Sequence, residues 1–135
     1  MDVGKQFQNI MGKELLRDIS GRLSKIENAY DSSFGDLGDE AQYEKSAPPE
    51  AAQRAINGLM FHHMTFHGLH ESGNYEGALH SVGQAYKSVK DTLKTHLANS
   101  KDPIAARGFI YAAEPHLKEI GKLGIQYAKL MGIQR

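Results

Sequence analysis

The chain has 135 residues, no cysteine, and 16 basic against 16 acidic side chains. That length suits one domain burying roughly two-thirds of its unfolded surface. The lack of cysteine excludes a disulfide framework, a thiolate zinc site and a cysteine nucleophile. No apolar run approaches the ~20 residues that cross a bilayer. The opening Met1-Asp2-Val3-Gly4-Lys5-Gln6 lacks the charged-then-apolar order of a signal peptide. The expected setting is therefore the cytoplasm, or a virion or other assembly if the protein is structural, with no membrane contact.

Charge is uneven along the chain. Residues 31–50 carry Asp31, Asp36, Asp39, Glu40, Glu44 and Glu50 against Lys45 alone. The basic residues beyond position 100, among them Lys118, Lys122, Lys129 and Arg135, are too dilute for the clustered stripe of a nucleic-acid footprint. Nucleic-acid binding therefore ranks last among the readings.

The first predicted helix covers residues 4–30. Leu16, Ile19, Leu23, Ile26 and Tyr30 keep the spacing of a packed seam, with Phe7, Met11 and Leu15 as an offset stripe. Gly12 and Gly21 weaken this helix or allow close packing. Residues 31–48 read as an acidic loop, because Gly35, Gly38 and Pro48 break any periodicity. A second helix starts at Pro49, which suits a first helical turn, and runs to residue 71. It is apolar almost all round, so it is either central or covered on a second face by a partner. Its Phe61 side points away from the His63 face.

Residues 73–79, Gly-Asn-Tyr-Glu-Gly-Ala-Leu, resemble the inter-helix turn of a tetratricopeptide repeat. The likeness spans one turn and no copy follows at the family's period, so it implies a helix hairpin and no more. The third helix covers residues 75–97, with Ala78, Leu79, Val82, Ala85, Tyr86, Val89, Leu93 and His96 on one face. Asp102 and Pro103 then supply an N-cap and a first-turn proline. The fourth helix runs to residue 131, with Gly132 as its C-terminal cap. Pro115 predicts a kink or break near residues 113–114. Gly121 and Gly124 would let another helix approach. No strand-like alternation occurs. The fold class is all-α: a single domain, an antiparallel bundle of about four helices.

Chemistry concentrates at residues 61–71, Phe-His-His-Met-Thr-Phe-His-Gly-Leu-His-Glu. His63, His67 and His70 share a face that continues the apolar stripe of Ala52, Ile56 and Leu59. An i, i+4 histidine pair can place two nitrogens on one metal, so His63, His67, His70, Glu71 and His80 form a candidate site for a divalent ion such as zinc. The pattern lacks the glutamate of zinc proteases and the Glu-x-x-His pairs of di-iron bundles. The plainer reading is of half-buried imidazoles bonded to backbone carbonyls or tyrosines. A third is a pH switch, in which charged imidazoles weaken the fold or its assembly below about pH 6.

No phosphate-binding glycine loop, nucleophile elbow or catalytic acid pair appears. The expectation is a non-enzymatic interaction or assembly protein without a cofactor, a small adaptor or structural subunit, of viral or phage type. It would bind a protein partner or itself through Phe61, Met64, Leu123, Leu130 and Ile133, apolar side chains beyond what one bundle face needs. The alternative is the histidine-based metal-binding bundle.

Overall fold

The computed structural model describes residues 3–34, 50–98 and 100–133. They form helices α1 (Val3–Phe34), α2 (Glu50–Asn57), α3 (Leu59–Glu71), α4 (Tyr75–Asp91) and α5 (Pro103–Leu130), with a π-helical turn (Thr92–His96) after α4. No strand occurs among these residues, and no helix among them is long and apolar enough to cross a membrane.

α1 buries Leu16, Ile19, Leu23, Ile26, Tyr30 and Phe34 along one stripe. It overruns its expected end by a turn, because Phe34 continues the stripe into the core. There its ring packs on Tyr30 at 5.0 Å and on Phe109 at 6.5 Å. The rest of the expected acidic loop, residues 35–48, and the expected start at Pro49 lie outside the described residues. The offset stripe behaves differently. Leu15 packs partly against the core, but Phe7 and Met11 are exposed.

The second predicted helix is divided at Gly58, where the chain keeps helical dihedrals but the following turn tightens. Phe61 N–H bonds to Gly58 C=O three residues back. α3 ends in a left-handed glycine, Gly73 at φ 83°, and Asn74 N–H reaches back to Leu69 C=O at 2.8 Å. The Asn74 side chain then accepts from Gly77 N–H and starts α4. One short segment thus closes a helix, reverses the chain and opens the next helix, as expected of the hairpin turn.

α4 gives way to the π turn at Thr92. The buried Thr92 hydroxyl donates to Ser88 C=O at 2.8 Å, and Leu97 N–H bonds to Thr92 C=O five residues back. The wider turn carries Leu97 into the core. α5 begins as predicted, with Asp102 Oδ1 accepting from Ala105 N–H at 3.0 Å. It ends with Gly132 at φ 71° and Ile133 N–H on Ala128 C=O.

Pro115 does not break α5, which continues from 103 to 130. The proline and Tyr111, whose carbonyl loses its amide donor, are both on the exposed side of the helix. Water can serve that carbonyl, so the missing bond is tolerated. Tyr111 is 86% exposed.

Cross-helix contacts fix the topology. Lys13 meets Glu71 and Glu27 meets His63, so α1 and α3 run antiparallel. The Gln8 side chain donates to Leu130 C=O and Arg22 meets His116, so α1 and α5 do too. Gly121 lies under the Tyr86 ring and Gly124 near Val82, which sets α4 against α5 in the same sense. These two glycines admit a helix, as expected. The result is an up-down-up-down bundle in which α1, α3, α4 and α5 surround one core.

Candidate functional site

The histidines of α3 line its seam with α1. His63 Nε2 donates to Glu27 Oε1 at 2.9 Å. His67 Nε2 is hydrogen-bonded to Ser20 Oγ at 2.8 Å. His70 is 1% exposed. Its Nε2 lies 3.0 Å from Asn9 C=O, and its Nδ1 lies 2.8 Å from the Tyr127 hydroxyl. A carbonyl oxygen only accepts, so Nε2 carries a proton and donates to Asn9, while Nδ1 shares the second hydrogen bond with the Tyr127 hydroxyl. Burial, with Tyr75 second, pushes Tyr127's ionisation well above the usual phenol range.

Gly12 makes room for this buried imidazole. A Cβ there would stand 2.8 Å from His70 Cε1 and 3.3 Å from Tyr127 Cε2. The glycine expected either to weaken α1 or to permit close packing does the second.

Burial holds His67 below the ordinary histidine value, aided by His63, His70, Arg17 and Lys13. Burial also lowers His62, with His63 adding to it. The Nδ1 of His62 is buried with no hydrogen-bond partner. On the α1–α5 side, burial and then Arg22 and Lys25 lower His116, whose Nδ1 accepts from Arg22 at 3.1 Å.

The expected metal ligands are not brought together. His63, His67 and His70 each turn a nitrogen to a different partner on α1. Glu71 is exposed and paired with Lys13 at 3.0 Å, and its carboxyl is held below the usual range by the hydrogen bond from that lysine. His80 is exposed on α4. Among the described residues no group of three or more histidines and carboxylates could hold an ion. His70 instead has the backbone-carbonyl and tyrosine bonds of the plainer reading.

Sequence reasoning missed the partners on α1. Lys13, Ser20 and Glu27 recur every seven residues, beside the apolar stripe. A heptad-spaced polar row flanking a packed seam is the signal that could have paired α1 with the histidine face.

The apolar candidates separate into three groups. Leu123 is 4% exposed and belongs to the core, because its position in α5 faces inward between Ile120 and Tyr127. It is not available to a partner. Leu130 and Ile133 are half-buried at the end of α5. Ile133 lines a groove of about 540 Å³ between α4 and α5, with Tyr86, Gly121, Gly124 and Ile125. Phe61 and Met64 are 69% and 72% exposed on the outer face of α3, next to Met60 at 65%.

That outer face carries no Asp, Glu, Lys or Arg from residue 58 to residue 70. Its exposed positions are Met60, Phe61, Met64 and Gly68, with Thr65 at the edge. The Thr65 hydroxyl donates to Phe61 C=O at 2.8 Å, one turn back in the same helix. The one hydroxyl on this face is therefore satisfied internally. Elsewhere, Val3, Phe7, Ile10 and Met11 form a second exposed apolar strip on the first turns of α1, interrupted by Lys5, and Ile104, Tyr111 and Ile125 are exposed along α5.

No protein family, no curated protein and no solved structure matches this chain.

Proposed function

We propose that the protein is a non-enzymatic interaction module that joins an assembly through the outer face of α3. The observation that carries this reading is the contiguous, charge-free exposure of Met60, Phe61 and Met64. A bundle helix that needs only its inner stripe for folding ordinarily carries charge outside. Here the outside offers an aromatic anchor and two methionines, side chains enriched in interface cores and able to adapt to a partner's shape. The histidine seam holds α3 in place from behind and takes no direct part.

Site-specific photo-crosslinking tests this in the cells that make the protein. A benzophenone side chain at position 61 should give a discrete protein adduct. The same probe at the exposed Lys118 of α5 should not. Equal labelling from both positions, or none from position 61, overturns the proposal.

A further inference from the structure

The partner that best fits this face is a second copy of it. We infer that the chain forms an antiparallel, two-fold dimer through α3, centred between Met64 and Thr65, with Phe61 of each copy over Gly68 of the other. This rests on the interaction reading above and names its partner.

Three observations carry it. The first is Gly68. Glycine inside a helix is unfavourable relative to alanine, and here nothing beyond its chain neighbours and its own helix backbone lies within 4 Å of where its Cβ would be. Gly12 is required by the chain's own packing, whereas Gly68 is not. Its bare backbone is on the outer face, where it permits close approach from outside.

The second is the pattern about a centre. In an antiparallel pair with a dyad between positions 64 and 65, residue 61 stands opposite residue 68 of the other copy. The largest side chain of the face meets its one hollow, and by symmetry this happens twice. Met64 meets its own counterpart at the dyad. Asn57 and Ser72, both exposed, bound the strip with polar groups that stand opposite each other in the same register. A two-fold interface needs this self-complementarity. The absence of charge from residue 58 to residue 70 removes like-charge repulsion, which self-pairing would otherwise place face to face.

The third is size. The strip offers on the order of 500 Å² per copy, so a pair buries about 1,000 Å², the lower bound for a specific interface. An interface at that lower bound belongs with weak, transient encounters, so the expected dissociation constant is on the order of 10–100 µM.

Sedimentation of the purified full chain across that range should show a monomer–dimer equilibrium. Phe61→Asp should be monomeric throughout, with an unchanged melting temperature at concentrations well below the dissociation constant, because the side chain is exposed in the monomer. Register is read with single cysteines, since the chain has none of its own. Position 64 lies about 1.5 Å along the axis from its counterpart and position 60 about 13 Å. Met64→Cys should oxidise to a covalent dimer and Met60→Cys should not, because disulfides need Cα atoms within about 7 Å. A chain monomeric at about 500 µM, five or more times the expected constant, overturns the inference. So does a dimer indifferent to Phe61→Asp, or equal crosslinking at 60 and 64. A monomeric purified chain that still gives a position-61 adduct with a different protein overturns self-pairing and leaves the interaction reading standing.

Discussion

Gly12 lacks a side chain because His70 occupies the space that one would fill. The imidazole cannot move aside cheaply, since Asn9 C=O and the Tyr127 hydroxyl hold both of its nitrogens. Two effects oppose each other in Gly12→Ala. Helix propensity favours alanine by about 1 kcal/mol. Against it, a methyl group forced 2.8 Å from His70 Cε1 must displace a ring fixed at two points. Overpacking of this kind costs about 1–3 kcal/mol, and breaking a buried hydrogen bond adds to it. The variant should therefore be less stable by about 1–2 kcal/mol net, read by urea denaturation. Gly21 is the control: it is exposed and nothing lies within 4 Å of its would-be Cβ, so Gly21→Ala should stabilise. Equal stabilisation by both variants would show that His70 yields without strain. From the sequence the two glycines of α1 look alike. Only the ring packed against one of them distinguishes them.

At the scale of elements, much was legible. The start of α4 at Tyr75, the cap of α5 at Asp102, the hairpin between α3 and α4, the seam of α1 and the cap at Gly132 all follow from local rules of capping and periodicity. Those rules act within a few residues, so one sequence suffices to apply them. The failures lie where a distant contact decides. Phe34 extends α1 because two rings are waiting for it, and the π turn exists because Thr92 and Leu97 are drawn inward. Of the kink or break expected at Pro115, the break does not occur. A proline signals a break by removing one amide donor, but the penalty depends on whether the orphaned carbonyl meets water. Here Tyr111 faces solvent, so α5 continues. The lost bond and the ring's crowding of the preceding turn still cost stability. Pro115→Ala should raise stability by about 1–2 kcal/mol, less than the full helix-interior penalty of about 3 kcal/mol, because water already serves the Tyr111 carbonyl. A rise in the urea midpoint at unchanged slope would confirm it, and no change would mean that the turn around residue 111 is already relaxed.

For the molecule as a whole, the histidines couple the fold to pH, and the sign follows from their surroundings. Burial depresses His62, His67 and His116 below the ordinary value of 6.5. The cations near them, Arg17 and Lys13 beside His67, Arg22 and Lys25 beside His116, act in the same direction. In the unfolded chain these rings take up protons near pH 6.5, while in the folded bundle they resist until the pH is lower. Between those limits the unfolded state binds more protons, so stability rises with pH through the window. It is fully present above about pH 6.5 and is lost as the pH falls toward the depressed folded values. Sequence reading reached the clustering of the α3 histidines but not the separate bonds of His63, His67 and His70, because their partners Glu27, Ser20 and Asn9 lie on α1, tens of residues away. The melting temperature should therefore fall between pH 7.5 and pH 5.5, conditions about one unit either side of the histidine value. His67→Gln keeps a polar group against Ser20 and removes one titrating ring, so it should flatten part of that slope without abolishing it. His80→Gln, at an exposed position of α4, should leave the slope as it is. Equal effects from the two variants would place the pH dependence outside the seam. A melting temperature that does not move between the two pH values would mean the buried rings are hydrated well enough to charge freely in the folded bundle.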